Sequence, residues 1–297
     1  MIRIGFDIGG TNIKAGLFNG DMNFLSKKSF TFQKESGYRN IIKTMYEISI
    51  EMLSENNLNK KDVCSIGVAS AGEIDIAGGI IIRAHNLGFY NVPIQEEMSR
   101  YFPDIPISLI NDADAAALAE LKKGALQGYN NAILITIGTG IGGGIIIGGK
   151  LYRGGLSHGA EVGHVIVFSD GPLCTCGNRG CIETLCSATW LAKKGQPAGY
   201  ADAKAVIDAA KNEEPVAIEI FNEYIDNFGM AIASLTNLLD PEIIALGGGV
   251  SLAGDFLFDP LRKKVEQKSF FKYPYKITAA QLGNDAGTIG SAAAGGE

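Results

Sequence analysis

Four residues with side chains suited to one metal ion lie close together in the second half of the sequence. His164, Cys174, Cys176 and Cys181 follow the pattern His-x9-Cys-x-Cys-x4-Cys. Cysteines one residue apart are poorly placed to bond to each other, but two thiolates at that spacing can hold one cation. Three thiolates and an imidazole form the ligand set of a closed, tetrahedral zinc site. The spacing therefore predicts a structural zinc knuckle over residues 164–181.

The surroundings of these ligands favour the same prediction. Two carboxylates, Glu161 and Glu183, stand on either side of the cluster. The other two cysteines, Cys64 and Cys186, are expected to be reduced core thiols, as in a cytosolic protein. A ligand loop needs tight turns, and the residues that supply them are Gly171, Pro172, Gly177 and Gly180.

A glycine-rich turn joins two β-rich runs at the start of the chain. In the segment from Asp7 to Lys14 (DIGGTNIK), the glycines let backbone N–H groups approach an anion. Thr11 adds a hydroxyl, and Asp7 can hold a hydrated Mg²⁺ through water. The spacing differs from that of a Walker A loop. Two interpretations stay open at this point: a phosphate-binding element, or an ordinary β-hairpin.

A second glycine turn lies about 130 positions further on. The segment from Gly138 to Gly143 (GTGIGG) matches the dinucleotide fingerprint G-x-G-x-x-G. That fingerprint must open a helix, whereas Gly144 leads into a second strand, residues 145–147. The context therefore favours a second phosphate-binding hairpin over an NAD site. Two similar strand–glycine–strand units predict two domains of like topology.

Two further motifs follow predicted strands. A glycine triplet, residues 247–249, comes after the strand 242–246 and allows close approach of a flat ligand such as adenine, or only a crowded turn. Asn111 and Asp112 lie between the strand 107–110 and the alanine-rich helix 113–123. Asp112 could cap that helix. The cap is the commoner role for an isolated Asn-Asp pair, and the alternative is a general base, because strand ends in α/β sheets face the ligand crevice.

The remaining pattern indicates a soluble α/β protein of two domains. Apolar spacing predicts helices over 38–55, 201–211, 216–239 and 283–294, a strand over 63–69 and a surface loop over 196–200. A net charge of -6 and a pI near 5.2 argue against a nucleic-acid groove. Residues 132–149 carry no charge, but their seven glycines argue against a membrane helix. We expect no secretory signal, no membrane contact and a cytoplasmic location.

Taken in order along the chain, these motifs resemble the ROK family (repressors, open reading frames and kinases). The resemblance rests on the two glycine hairpins, the Asn-Asp pair at a helix start, the Glu161-x-Gly-His164 segment, the cysteine knuckle with Glu183 behind it, and the late glycine triplet. It covers nearly the whole chain, and the zinc segment is its most specific part. It implies the actin-like, hexokinase-like ATPase fold, with two α/β domains around a central cleft.

The resemblance also implies a role for each matching residue. Asp112 would be the catalytic base, and zinc would orient the sugar pocket without acid–base chemistry. The phosphate loops would be formed by Asp7, Gly9, Gly10, Thr11 and Lys14 in the first hairpin and by Gly138, Thr139 and Gly140 in the second. Adenosine would lie against Gly247, Gly248 and Gly249. Sugar hydroxyls would be held by Asn86, Asn111, Asp112, Glu161, His164 and Glu183, and zinc by His164, Cys174, Cys176 and Cys181.

Domain bounds and activity follow from the same resemblance. A small domain would cover residues 1–118, with the final helix 286–297 on it, and a large domain 119–285. The implied reaction is transfer of the γ-phosphate of ATP, with Mg²⁺, to the 6-hydroxyl of glucose, by a homodimer. Two segments depart from the pattern of many glucokinases in this family. They are residues 70–73 (SAGE), in place of a Pro-Gly-Pro-like turn, and His85, in place of a proline before Asn86.

Both departing segments would border the sugar, so they leave the choice of hexose open. A kinase for N-acetylmannosamine or N-acetylglucosamine is the alternative enzyme. A sugar-responsive repressor of the same family is the alternative of another class. Such repressors carry a winged-helix domain ahead of the kinase-like core, whereas here the first predicted strand begins at Ile2. The acidic pI also argues against DNA binding.

Overall fold

The protein is described by a computed structural model over residues 1–157 and 159–296. The chain divides into two compact units. Unit 1 contains residues 1–122 and the segment from Asn284 onward, and unit 2 contains Lys123–Gly283. The sequence-based boundary at residue 118 lies inside the helix that ends unit 1.

The elements in the first segment of unit 1 are groups of strands separated by helices. In chain order they are β1 (Ile2–Ile8), β2 (Asn12–Phe18), β3 (Phe24–Thr31), α1 (Tyr38–Glu55), β4 (Val63–Ser70), β5 (Glu73–Asp75), β6 (Ile80–Ala84), β7 (Phe89–Val92), α2 (Ile94–Ser99), β8 (Ile107–Asn111) and α3 (Asp112–Lys123). Short 3-10 turns occupy Lys34–Ser36 and Lys60–Asp62.

The elements of unit 2, and the helix that returns to unit 1, follow. They are β9 (Ala132–Ile137), β10 (Ile141–Ile147), β11 (Lys150–Tyr152), α4 (Ile182–Cys186), α5 (Ala188–Gly195), α6 (Ala203–Lys211), α7 (Pro215–Leu239), β12 (Ile243–Gly247), α8 (Asp255–Lys268), β13 (Ile277–Ala279) and α9 (Ala286–Ala294). The 3-10 turns here are Val162–His164, Gln196–Ala198, Gly249–Ala253 and Gly283–Asp285.

The main sheet of each unit has the same plan. In unit 1 the strand order is β3-β2-β1-β4-β8, and in unit 2 it is β11-β10-β9-β12-β13. The first three strands of each sheet are antiparallel neighbours, and the last two run parallel to the central strand. The predicted likeness of topology between the two halves of the chain is thus confirmed.

Helix α9 closes one face of the unit 1 sheet through close backbone contact. A Cβ atom on Gly5 or Gly67 would overlap the carbonyl oxygens of Thr288 and Ser291, respectively. On the other side of the helix, Gly290 lies against the Ala115 carbonyl of α3. The run of small residues in α9 therefore serves to seat the helix tightly between the sheet and α3.

Several parts of the fold lie outside the sequence-based predictions, and two of them have a clear physical reason. A three-stranded sheet, β5-β6-β7, lies in unit 1, where the short strands give too little alternation to stand out. Helix α8 contains Pro260 in its interior. A proline there removes one helical hydrogen bond, which argues against a helix when the sequence is considered alone. Burial of Leu257, Phe258, Leu261 and Val265 on one face of α8 outweighs that cost.

Helix α7 forms the centre of the unit 2 core. It begins with Pro215 at a first-turn position, where proline is well tolerated. Its buried face includes Phe221, Tyr224 and Phe228, packed against apolar residues of the sheet and of α8. Among residues 1–157 and 159–296, none of the helices has the length and apolar content needed to cross a bilayer.

Candidate active site

Several predicted residues meet at the carboxyl edge of the unit 1 sheet. Because β1, β4 and β8 are parallel, their carboxyl ends reach the same edge. The register pairs Ile8 with Ser70, and Ser70 with Asn111. The glycine turn after β1, the segment that departs from the family pattern after β4, and the Asn-Asp pair after β8 are therefore neighbours in the fold.

The structure assigns the helix-cap role at this edge to Asn111. Its Oδ1 accepts hydrogen bonds from the backbone N–H groups of Ala113, at 2.8 Å, and Asp114, at 3.2 Å. Asp112 is the first residue of α3, and its Oδ1 accepts from Ala113 N at 2.9 Å. Both side chains thus accept from N–H groups in the first turn of α3, and Asn111 holds the cap position.

The first glycine hairpin brings a carboxylate and an ammonium group together. Asp7 and Lys14 are partners in the β1–β2 register, and Lys14 Nζ lies 3.6 Å from Asp7 Oδ2. Lys14 Nζ also donates to the Asn284 carbonyl at 2.9 Å. Burial raises the pKa of Asp7, and the ammonium group of Lys14 offsets part of that rise. Because burial destabilises the ionised form of this carboxylate, a nearby cation stabilises it more than it would an exposed carboxylate.

Asn86, a predicted sugar contact, lies beside this hairpin. A Cβ atom placed on Gly10 would be 3.8 Å from the Asn86 carbonyl oxygen, so the chain passes close to the glycine turn. The side chain of Asn86 and that of Thr11 are exposed. His85 Nδ1 lies 3.0 Å from the Tyr90 hydroxyl. The histidine that departs from the family pattern thus belongs to the turn that carries Asn86.

In unit 2, the four predicted metal ligands converge. One donor atom from each of His164, Cys174, Cys176 and Cys181 lies within 4.8 Å of the others. His164 Nδ1 is 3.6 Å from Cys174 Sγ, and Cys176 Sγ is 3.6 Å from Cys181 Sγ. A tetrahedral zinc ion with Zn–S bonds of about 2.3 Å separates its ligand atoms by roughly 3.5–3.8 Å. The donor set and its spacing fit zinc.

The glycines of this loop have the backbone conformations that the sequence predicts. Gly177 and Gly180 adopt φ angles of 93° and 71°, which side chains rarely tolerate. A Cβ atom on Gly180 would overlap the Phe168 carbonyl, and one on Gly171 would lie 2.5 Å from the Gly180 Cα. The loop folds back so tightly at these glycines that Cys176 and Cys181 face each other.

The thiols of the cluster differ in acidity because their surroundings differ. A hydrogen bond from the Asn178 backbone lowers the pKa of Cys176 to about 7. Burial raises the pKa of Cys181 to about 12. Cys176 is also the exposed member of the set.

Glu161 and His164 lie at the two ends of one 3-10 turn. Residues Val162–His164 form the turn, Glu161 precedes it, and His164 N donates to the Glu161 carbonyl at 3.0 Å. His164 faces Cys174 with Nδ1, which leaves Nε2 on the opposite side of the ring. The turn thus links the backbone of Glu161 to that of the histidine ligand.

Glu183 contacts the second glycine hairpin directly. One carboxylate oxygen, Oε2, accepts a hydrogen bond from Ile141 N at 3.1 Å, and the other, Oε1, lies 4.0 Å from Cys174 Sγ. A Cβ atom on Gly140 would overlap Oε2. Gly140 must therefore lack a side chain if the carboxylate is to reach the hairpin backbone.

Next to this hairpin, unit 2 contains a cavity of about 540 Å³. Two separate predicted nucleotide motifs line it: Gly138 and Thr139 from the hairpin, and Gly249 from the glycine triplet. The other two glycines of the triplet have structural roles. Gly247 ends β12, and a Cβ atom on Gly248, whose φ angle is 87°, would overlap the Ile137 carbonyl. The triplet thus brings its third glycine to the cavity by packing against β9.

The sequence analysis did not identify the opposite wall of the cavity. Helix α6 presents Lys204, Asp208 and Lys211 to it, and Lys204 pairs with Asp208. These charged residues are spaced four and three positions apart, which places them on one helix face. That spacing was the sequence feature that could have indicated this wall of the cavity. Thr189 of α5 also lines the cavity, and its hydroxyl donates to the Thr139 carbonyl at 2.6 Å.

Two α/β units of one topology, each with a glycine hairpin at the carboxyl edge of its sheet, define the hexokinase-like, actin-like class of ATPase folds. The chain belongs to the ROK family, whose model matches residues 3–294. It is 35% identical to a glucokinase of Thermotoga maritima, over 97% of this chain and 95% of that protein.

Solved structures of the family have the same fold. A ROK hexokinase from Thermus thermophilus superposes with a TM-score of 0.87 at 31% identity, covering 99% of this chain and 98% of that one. A ROK glucokinase from Streptomyces griseus, solved in complex with glucose and AMPPNP, gives a TM-score of 0.77 at 33% identity, with the same coverage.

Proposed function

We propose that the protein is an ATP-dependent glucokinase that transfers the γ-phosphate of ATP to the 6-hydroxyl of glucose. The observation that carries the proposal is the unit 2 cavity, where two nucleotide motifs that are over 100 positions apart in the sequence form one wall. Similarity to glucokinases over nearly the full chain supports the choice of glucose.

Unit 2 binds the nucleotide in this proposal. The adenosine lies in the cavity beside Gly249, and the backbone N–H groups of Thr139 and Gly140 face the phosphates, while the Gly138 N–H donates to the Gly140 carbonyl at 3.0 Å. Glycine at these positions lets a polyphosphate approach the main chain closely. Because backbone donors are fixed by the fold, they stabilise the charge that spreads over the phosphate oxygens during transfer.

Unit 1 supplies the charged groups. Lys14 balances phosphate charge, and Asp7 holds Mg²⁺ through its water shell, as its buried and only partly compensated carboxylate favours. When bound, Mg²⁺ neutralises charge on the transferred group. Neither residue takes part in covalent chemistry, so positioning and charge account for their contribution.

Asp112 acts as the general base. Its carboxylate accepts the proton of the sugar 6-hydroxyl as that oxygen bonds to the γ-phosphorus and the bond from γ-phosphorus to ADP breaks. The products are glucose 6-phosphate and ADP, and the proton leaves later from the aspartate. Asn111 holds the start of α3 through its two backbone hydrogen bonds, which places Asp112 at a fixed point of the sheet edge.

The sugar hydroxyls are bound by Asn86, Asn111, Glu161, His164 and Glu183. Zinc, when bound by the four-residue cluster, fixes the ring of His164 through Nδ1, so that Nε2 can meet a hydroxyl.

We also propose a cytoplasmic homodimer. A cysteine cluster that binds metal requires reduced thiols, and light scattering of the purified protein measures the mass in solution.

The test is a coupled kinase assay with a panel of hexoses and N-acetylhexosamines. We expect ATP-dependent turnover to be highest for glucose, and ATP hydrolysis without sugar to be far slower. A preference for N-acetylmannosamine or N-acetylglucosamine would refute glucose as the substrate while leaving the reaction type intact. Absence of turnover with every sugar, together with DNA binding in a gel shift, would refute the enzyme itself.

A further inference from the structure

The metal-binding segment, defined as residues 162–189 from the 3-10 turn to the start of α5, contacts the nucleotide-binding hairpin inside unit 2. Three hydrogen bonds connect them. Glu183 Oε2 accepts from Ile141 N at 3.1 Å, the Ala188 N–H donates to the Gly138 carbonyl at 3.0 Å, and the Thr189 hydroxyl donates to the Thr139 carbonyl at 2.6 Å. Their partners on the hairpin are all backbone groups, at residues 138, 139 and 141, so the ties act on the position of the main chain.

All three groups follow the last metal ligand closely. Cys181 precedes α4, Glu183 lies in the first turn of that helix, and Ala188 and Thr189 begin α5. The side chain of Ser187 caps α5 by accepting from Trp190 N at 3.3 Å. A displacement of Cys181 would therefore be carried to the hairpin within eight residues of chain, through two short helices.

The other end of the metal-binding segment also presses on the hairpin. The 3-10 turn that ends at His164 lies against β10. A Cβ atom on Gly163 would overlap the Ile141 carbonyl, and one on Gly143 would overlap the Val162 side chain. Both the first and the last metal ligands are thus adjacent to elements in direct contact with the hairpin.

From these contacts we propose that the metal-binding segment positions the nucleotide-binding hairpin, with Thr189 and Glu183 as positioning residues. Metal occupancy then raises affinity for the nucleotide even when no sugar is bound. The inference rests on the proposed function, since it takes the cavity and hairpin as the ATP site. It adds a second role for the metal, beyond orienting residues toward the sugar.

Thr189 is the best residue for separating the effect of the metal on the nucleotide site from its effect on the sugar site. Its hydroxyl contacts the hairpin, and the residue is not a predicted sugar contact. Thr189→Val keeps the branched shape and removes the hydroxyl. We expect affinity for the ATP analogue AMPPNP, measured by calorimetry without sugar, to fall by about threefold to tenfold, the effect of one hydrogen bond. Glucose affinity without nucleotide should stay within about twofold. Thr189→Ser, which restores the hydroxyl, should recover the AMPPNP affinity.

Thr44→Val is the matched control. Thr44 lies in α1 of unit 1, and its hydroxyl donates to the Asn40 carbonyl at 3.0 Å, so the same kind of bond is removed from a helix outside the site. AMPPNP affinity should be unchanged. Equal losses in both variants, or a Thr189→Val variant with normal AMPPNP affinity, would overturn the positioning role. A fall in glucose affinity equal to that for AMPPNP would indicate general loosening of unit 2 and would also overturn it.

Removal of the metal tests the second half of the proposal. Protein treated with a chelator, and a sample of it reloaded with Zn²⁺, are compared for AMPPNP affinity without sugar. We expect the metal-free protein to bind AMPPNP more weakly than Thr189→Val does, and Zn²⁺ to restore the affinity. Unchanged AMPPNP binding in folded, metal-free protein would refute the coupling. That result is distinct from failure of the proposed function, which would appear as absent sugar phosphorylation in the fully loaded protein.

Discussion

The two glycine hairpins occupy the same place in sheets of the same topology, yet they differ in chemistry. In the β1–β2 hairpin, the register places Asp7 opposite Lys14. In the β9–β10 hairpin, the segment from residue 138 to residue 144, which covers the turn and the start of β10, contains no charged residue, and Thr136 lies opposite Gly142. In the proposed function, the first hairpin therefore contributes side-chain charge, and the second contributes backbone donors.

The contacts that hold the two hairpins in place also differ. Asp7 lies against α9, where a Cβ atom on Gly287 would be 2.7 Å from its carboxylate. The second hairpin is held by bonds to its main chain from the segment that follows the metal ligands. A backbone cradle works only while its main chain is held in place. Substitutions around the β1–β2 hairpin and the unit 1 sheet edge should therefore lower turnover and leave the structure unchanged. Substitutions around the β9–β10 hairpin should lower ligand affinity by moving the main chain.

The largest expected effect is that of Asp112→Asn in unit 1. Removal of a general base costs about 10²–10⁴ in rate, so kcat should fall at least about a hundredfold. Because Asn111 caps α3 and asparagine is tolerated at a helix start, the melting temperature should stay near that of the wild type. Affinity for sugar and ATP should be retained. Steady-state kinetics, calorimetry and a thermal melt measure the three quantities.

Asn111→Ala is the counterpart that sharpens this result. It removes the side chain that caps α3, which typically costs about 1 kcal/mol of stability. The variant should melt earlier than Asp112→Asn. If Asp112→Asn melted early and turned over normally, the aspartate would be a structural residue and the assignment of the base would be wrong.

Asp7→Asn should have the second largest effect, and it should separate function from stability. The pKa of Asp7 is raised in the folded protein, chiefly by burial. A raised carboxyl pKa favours folding below the ordinary pKa, and that contribution is lost as the pH rises through the folded-state value. At neutral pH the ionised carboxylate therefore opposes folding, and asparagine removes that cost.

We accordingly expect Asp7→Asn to melt at or above the wild-type temperature at pH 7 without nucleotide, while kcat falls roughly tenfold to hundredfold. Lys14 stays solvated and keeps its bond to the Asn284 carbonyl, since it is 37% exposed. The stability gain should shrink as the pH is lowered toward the ordinary range of an aspartate. A large drop in melting temperature at pH 7 would contradict the argument.

Local sequence patterns predicted much of the fold. Helix α1 has the same bounds, 38–55, in the prediction and in the structure, because its apolar residues recur at helical spacing over five turns. The β9–β10 hairpin was also predicted, but β10 begins at Ile141 rather than at residue 145, so three of the glycines assigned to the turn lie in the strand. Strands β5 to β7 and helix α8 were missed, because three- to five-residue strands and a helix with an internal proline carry little local signal.

The candidate site was predictable where its residues lie close together in sequence. The metal ligands fall within one segment, and their convergence is confirmed as a geometric fact; their role, like that of the other site residues, stays a prediction. The bond from Thr189 to Thr139 joins residues 50 positions apart. The bond from Glu183 to Ile141 joins residues 42 positions apart. Such contacts depend on how the sheet and helices pack, which residue types alone do not specify.

Cys176→Ser tests the structural role of the metal cluster in unit 2. The wild-type protein, purified without added metal, should contain about one zinc per chain by elemental analysis. The variant should contain much less, because a serine hydroxyl replaces a thiolate ligand. Sugar affinity should fall with it, and the melting temperature should drop. Cys64→Ser, at a half-buried cysteine of β4 outside the cluster, is the matched control and should retain its zinc. Full activity in metal-free protein would refute a structural role for the metal.

The smallest expected effect is that of Gly140→Ala, which acts on a single contact. The backbone at Gly140 has an ordinary φ angle, so alanine is not strained there; its Cβ would instead overlap Glu183 Oε2 and displace the carboxylate from Ile141 N. Since Glu183 is also a predicted sugar contact, glucose affinity without nucleotide should fall by about threefold to tenfold. Gly138→Ala is the matched comparison, because the nearest atom to a Cβ there is the Gly140 carbonyl oxygen at 4.0 Å. That variant should leave glucose affinity without nucleotide unchanged. If the two alanine variants bound glucose equally well, the position of the sugar-binding carboxylate would not depend on the hairpin. The proposal that the β9–β10 hairpin acts through the position of its main chain would then be wrong.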